Sequence, residues 1–182
     1  MSIINGAICN GLDTAGCDQT PATIAVGNSP QGVAIDLATD TLYAENTSDN
    51  TVSVINTAIC NAKVMSGCGQ TPPTMATGAA PFVGVAVDQL TDSVVLGAVG
   101  DSDVDVFNGA TCNRSVTSGC GQKPVAIPTG GWPTNVAVNP LTDTVYAPDN
   151  VDGQVSFFAE ATCLGSGLRC LTAGPRLSAP GW

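Results

Sequence analysis

Gly32-Val33-Ala34-Ile35-Asp36 decides the fold, because the chain repeats it. The run returns as Gly84-Val85-Ala86-Val87-Asp88 and again as Asn135-Val136-Ala137-Val138-Asn139. A Thr-Asp-Thr/Ser turn follows each copy, at 39–41, 91–93 and 142–144. Then comes Leu-Tyr-Ala-Glu-Asn at 42–46, matched by Val-Val-Leu-Gly-Ala at 94–98 and Val-Tyr-Ala-Pro-Asp at 145–149. A third run is Thr-Val-Ser-Val-Ile-Asn at 51–56, with Asp-Val-Asp-Val-Phe-Asn at 103–108 and Gln-Val-Ser-Phe-Phe at 154–158. A fourth short run ends in glycine at 22–27, 74–78 and 125–130.

Each unit therefore holds four short runs, here called a, b, c and d in chain order from the Gly-Val-Ala run. Within run a, alternation sets Val33 and Ile35 on one side and Ala34 on the other, which is strand periodicity. Composition agrees: Gly, Pro and β-branched residues dominate and charged residues are only 11%, which favours many short strands with tight turns. Four antiparallel strands per unit, repeated about every fifty residues, is the pattern of β-propeller blades. A sandwich or a β-solenoid is the rival, but solenoid coils are usually shorter and lack the four-run grammar. The expected fold is all-β, with one domain over 1–182 divided into repeats at about 1–27, 28–78, 79–130 and 131–182. The first is a c–d pair alone, since Met1 aligns with Val52 in the third run. No clear strand d is expected after Cys170. Strands count to about three and a half blades, so the chain reads either as a piece of a longer propeller or as a self-completing homodimer.

The eight cysteines repeat as well. Cys9 and Cys17, Cys60 and Cys68, and Cys112 and Cys120 share a C-x7-C spacing; Cys163 and Cys170 are one residue closer. Each pair brackets the c–d connection, whose ends a hairpin brings together. Closing such a loop is worth ~2–3 kcal/mol in the chain-entropy model. Zinc fits poorly, because the spacing is too wide and no histidine exists to complete a site. Four disulfides point to an extracellular, cell-surface or periplasmic location.

The core 30–56, recurring at 81–108 and 133–158, resembles the YVTN-type (YncE-like) β-propeller repeat family. The second copy departs from it, with Val95 where the tyrosine falls. The resemblance implies the propeller fold and kinship with lactonase-like and quinoprotein-like propellers. Some such proteins carry a DNA-binding label, which the charge of this chain opposes.

That charge is −10, with only five basic residues, all scattered. Without a basic stripe, neither nucleic acid nor an anionic membrane surface is an expected partner. No apolar run is long enough for a membrane span. The absence of histidine removes the commonest general base and every Ser-His-Asp or Cys-His set. Two glutamates exist, Glu45 and Glu160, and both are expected at a solvated edge. No cofactor or metal is expected: Asp101-Ser102-Asp103-Val104-Asp105 starts like a calcium loop but lacks the glycine and glutamate an EF-hand requires.

In a propeller the b–c and d–a connections share one face near the channel. That face would gather Asp49, Asp101, Asp103, Asp149 and Asp152 as a solvated acidic surface, with Gln31, Phe82 and Trp132 from the d–a side. Trp132 either fills a gap between blades or stacks on a ligand. The expected role is a non-catalytic binding scaffold for a protein or glycan. The alternatives are a lactonase- or quinoprotein-like enzyme whose active residues lie in other blades, and a surface-layer module.

Overall fold

The computed structural model describes residues 1–159 and the strand Leu177–Ser178. Fourteen strands are present among them: β1 (Ser2–Ile3), β2 (Ala22–Thr23), β3 (Pro30–Asp36), β4 (Thr41–Asn46), β5 (Thr51–Asn56), β6 (Thr74–Ala76), β7 (Pro81–Asp88), β8 (Ser93–Ala98), β9 (Asp103–Asn108), β10 (Val125–Pro128), β11 (Ala137–Asn139), β12 (Thr144–Asp149), β13 (Gln154–Ala159) and β14 (Leu177–Ser178). They form one two-stranded sheet and three four-stranded antiparallel sheets, each a meander in chain order. We call β1–β2 the leading pair, and the sheets β3–β6, β7–β10 and β11–β14 blades 1, 2 and 3. No described helix is long and apolar enough to cross a membrane.

Local chemistry repeats with the sequence. At the end of strand a, Asp36 Oδ1 accepts the Ala38 amide at 2.9 Å, Asp88 Oδ1 that of Leu90 at 2.8 Å, and Asn139 Oδ1 that of Leu141 at 3.1 Å. These Asx turns start the a–b connection. Asp40, Asp92 and Asp143 finish it with positive φ of 48°, 55° and 53°, a region aspartate tolerates. Where strand c ends, Gln19, Gln70 and Gln122 each accept one backbone amide, from Asn5, Asn56 and Asn108, at 2.8–2.9 Å.

The Gly-Val-Ala strands are the innermost. Each opens its own sheet, and β7 lies alongside both β3 and β11. A Cβ on Gly84 would stand 2.5 Å from Asn135 Cα, so this close approach between blades 2 and 3 requires glycine. Two apolar layers fill the blade joints. Tyr43, Val52, Val54 and Met75 of blade 1 meet Val94, Leu96 and Phe107 of blade 2. Val95, Val104, Val106 and Ile127 of blade 2 meet Val136, Val145, Ala147 and Phe158 of blade 3. A smaller cluster joins Ile24 of the leading pair to Ala44 and Ile55.

Cys9–Cys17, Cys60–Cys68 and Cys112–Cys120 are disulfide-bonded, with Cα–Cα distances of 4.7–4.8 Å. Cys163, Cys170 and Glu160 lie outside the described residues. Two expectations need correction. Leu177–Ser178 pairs with β13 through Val155↔Leu177, so blade 3 has its fourth strand. The alternation there is too short to read from sequence. Glu45 is not at a solvated edge; it is fully buried, and Thr47 Oγ1 donates to its Oε1 at 3.3 Å. It sits in the middle of a sheet, with β3 on one side and β5 on the other, and both faces of that strand are covered.

Candidate ligand face

The b–c and d–a connections do share a face, and hydrogen bonds tie them together. Thr47 N–H donates to Ser29 O at 3.1 Å, Val99 N–H to Ala80 O at 3.1 Å, and Asn150 N–H to Trp132 O at 3.0 Å. The aspartates of this face clamp the same joint from their side chains. Asp49 accepts the Asn28 amide at 2.7 Å and its side-chain amide at 2.9 Å. Those two bonds hold the Asp49 carboxyl below the usual range. Asp101 Oδ2 accepts the Ala79 amide at 2.6 Å, and Asp105 Oδ2 the Gly78 amide at 2.6 Å.

The solvated acidic surface is therefore only partly present. Asp49, Asp101, Asp152 and Gln31 are exposed, whereas Asp103 is half-buried and Asp149 is buried. Asp149 Oδ1 turns back to accept the amides of Val151 at 3.0 Å and Asp152 at 3.2 Å. Gly131 packs so tightly on it that a Cβ there would fall 1.8 Å from Oδ1.

Asp103 and Asp105 lie two apart on β9 and so share one side of the strand. Burial pushes the Asp103 carboxyl up to about 6, with the Asp105 and Asp101 charges adding to it. Asp105 also rises to about 6 through burial, against the pull of the Gly78 amide and with help from Asp101. Blade 1 has Ser53 where blade 2 has Asp105, and blade 3 has Ser156. Asp105 was legible as a strand residue from its register with Ser53, but its role as the amide acceptor at the blade joint was not. Among the described residues, no group of three or more His, Cys, Asp or Glu side chains is arranged to hold a metal ion.

Two apolar side chains stand out from this face. Trp132, within the d–a connection before β11, is 52% exposed, and Phe82, at the start of β7, is 41% exposed. A small open cleft lies elsewhere, between the leading pair and blade 1, lined by Ala25, Val26, Ser53, Gln70, Pro72 and Thr74.

Comparison with solved structures finds propeller-like matches over most of the chain. One is the Kuenenia stuttgartiensis hydrazine synthase, with a TM-score of 0.62 and 13% identity, covering 88% of this chain and 39% of that one. Another is the nidogen/laminin complex, with a TM-score of 0.58 and 14% identity, covering 82% of this chain and 51% of that one. The fold is a partial β-propeller. The chain spans about two fifths to one half of the propeller-like chains it matches, and identities this low carry the fold alone. No family model and no curated protein sequence matches it.

Proposed function

We propose that this chain is a YVTN-type propeller module of an oxidising compartment that binds a protein or glycan, without catalysis, through its b–c/d–a loop face. The observation that carries this reading is Trp132. Its indole is half exposed, yet its backbone is fastened by the Asn150 amide, so a flat apolar surface is presented on a rigid support. Aromatic faces of this kind stack on sugar rings or anchor protein partners. Three disulfides among the described residues support an extracellular, cell-surface or periplasmic setting. Asp49, Asp101 and Asp149 spend carboxylate oxygens on backbone amides, which supports a structural use of these groups over a chemical one.

The test is binding to immobilised cellulose, chitin and mannan and to an array of cell-surface proteins, with Trp132→Ala as control. The expected result is at least one binder whose affinity falls about tenfold or more in the variant, a loss of ~1.4 kcal/mol or more. Binding untouched by Trp132→Ala, or robust turnover of a lactone substrate by the purified chain, would sink the reading.

A further inference from the structure

We propose that Asn10 is a self-modification site, where the Gly11 amide nitrogen attacks the Asn10 side-chain amide and converts the residue to aspartate and isoaspartate. The site lies in the loop closed by Cys9–Cys17. Asn10 Oδ1 accepts two backbone amides, from Leu12 at 2.8 Å and Asp13 at 3.0 Å. Its Nδ2 donates to Gly6 O at 2.7 Å. The same cradle recurs in blades 1 and 2. Asn61 Oδ1 accepts the amides of Lys63 and Val64 at 2.8 and 3.0 Å, and Asn113 Oδ1 those of Ser115 and Val116 at 2.9 and 3.0 Å. Their Nδ2 groups donate to Thr57 O at 2.8 Å and Gly109 O at 3.0 Å. The cradle is thus a property of the disulfide loop itself, and not of what stands beside it.

The residue after the asparagine differs between the loops. It is Gly11 in the first, Ala62 in the second and Arg114 in the third. The turn does not demand glycine there, since Ala62 and Arg114 fit it and the φ of Gly11 is not positive. What glycine changes is reach. Without a Cβ, the following nitrogen closes on the side-chain carbonyl carbon with the least steric opposition. That attack puts negative charge on Oδ1, and the two amides already aimed at this oxygen stabilise it, as an oxyanion hole does. The other two Asn-Gly pairs are less well equipped. Asn5 Oδ1 accepts one amide, from Ala7, and Asn108 Oδ1 one, from Ala110, each at 3.0 Å. The Gly109 nitrogen is also engaged, donating to Asp92 O at 2.7 Å.

The reaction balances with water as the only co-reactant. The bond from the Gly11 nitrogen to Asn10 Cγ forms as the amide proton passes to solvent. The Cγ–Nδ2 bond then breaks, ammonia leaves with a proton taken from solvent, and a succinimide remains. Water opens that ring at either carbonyl, giving aspartate or isoaspartate. Either product removes the donor that Gly6 O now accepts and adds a negative charge to the loop. Isoaspartate also lengthens the main chain by a methylene inside the Cys9–Cys17 closure. Modification therefore loosens this loop and leaves the two later ones intact. The proposal stands apart from the loop-face reading.

The full oxidised chain is incubated at mildly alkaline pH and mapped by proteolysis and mass spectrometry, with isoaspartate read by enzymatic methylation. Asn10 is expected to convert about tenfold or more faster than Asn5 and Asn108, an advantage set by the second amide on its oxygen. Conversion at Asn61 and Asn113 should be slower still. In the reduced chain in urea the three Asn-Gly pairs should react at similar rates, and Asn10 more slowly than in the folded chain. Ala62→Gly should switch on conversion at Asn61, and Gly11→Ala should abolish it at Asn10. Circular dichroism and disulfide mapping check that both variants fold. An Asn10 rate no higher than that of Asn5, or lower than its own rate in the unfolded chain, would overturn the proposal. A folded Ala62→Gly chain in which Asn61 stays unmodified would overturn it too.

Discussion

The leading pair and the outer pair of blade 2 are written in nearly the same code and live in opposite environments. Both have a C-x7-C disulfide, a glutamine clamp and the same strand register. Yet Ile4 is 59% exposed while Phe107, its counterpart, is fully buried. Cys17 is exposed and Cys9 only half-buried, whereas Cys112 and Cys120 lie in the core. The difference is what stands on the side facing the start of the chain. Phe107 and the Cys112–Cys120 loop meet Tyr43 and Val54 of blade 1; no described blade precedes the leading pair. Local hydrogen bonding thus builds the blade edge, and stacking alone makes it part of the core.

Substitutions should separate these two contributions. Phe107→Ala empties a packed joint and should cost about 3–5 kcal/mol in urea unfolding. Ile4→Ala should cost less than about 1 kcal/mol. Comparable losses at the two sites would break the comparison. The disulfides should follow the same order. Closing equal loops, both pairs constrain the unfolded chain alike, but replacing Cys112 and Cys120 by alanine also removes buried sulfur beside Tyr43. We expect about 3–5 kcal/mol there and about 2–3 kcal/mol for Cys9 and Cys17, where only the loop closure is lost.

Repetition made the fold readable, because register, turn chemistry and cysteine pairing are local properties that each copy states again. Val33 and Ile35 were legible as one face of a strand. Their exposure was not, since it depends on a neighbour and not on their own alternation. The same limit applies to the loop face. Asp49 lies in the b–c turn of blade 1 and Asp149 ends β12 at the position of Asn46. Asp49 is exposed and bonds to Asn28, while Asp149 is buried under Gly131. At Glu45 the charge suggests water, but the pairing on both sides of β4 overrides it. Trp132 stands out by its difference from Ser29 and Ala80 at the same repeat position, and its exposure is a property of the fold that the sequence does not state.

Blade 2 also differs from blade 1 in charge, and pH should sharpen that contrast. Asp103 and Asp105 titrate near 6 in the folded chain and near 4 when unfolded. Between those values the folded state binds more protons than the unfolded one, so stability falls as pH rises through the window. The chain should be more stable at pH 4.5 than at pH 7, by an amount on the order of 2 kcal/mol, allowing for water at the half-buried Asp103. Asp105→Asn keeps an acceptor for the Gly78 amide and removes one charge. It should raise stability at pH 7 and flatten the profile. A wild-type chain that weakens steadily from pH 7 to pH 4.5 would contradict the burial of these carboxyls at the blade joint.

The smallest expected effect tests the stacking argument at its other end. Tyr43 and Tyr146 hold the same position in blades 1 and 3. Tyr43 is fully buried and donates its hydroxyl to the Cys112 carbonyl of the next blade at 2.9 Å. Burial, with the Asp36 and Asp92 charges, raises its ionisation well above the ordinary value. Tyr146 lies against Phe157 of its own blade, ring centroids 6.4 Å apart, and remains over a third exposed. Tyr43→Phe strands a carbonyl at the joint and should cost ~1–2 kcal/mol. Tyr146→Phe should fall within about 0.5 kcal/mol of wild type. If thermal unfolding moved equally for both, the joint between blades 1 and 2 would owe nothing to that hydroxyl, and stacking would rest on apolar contact alone.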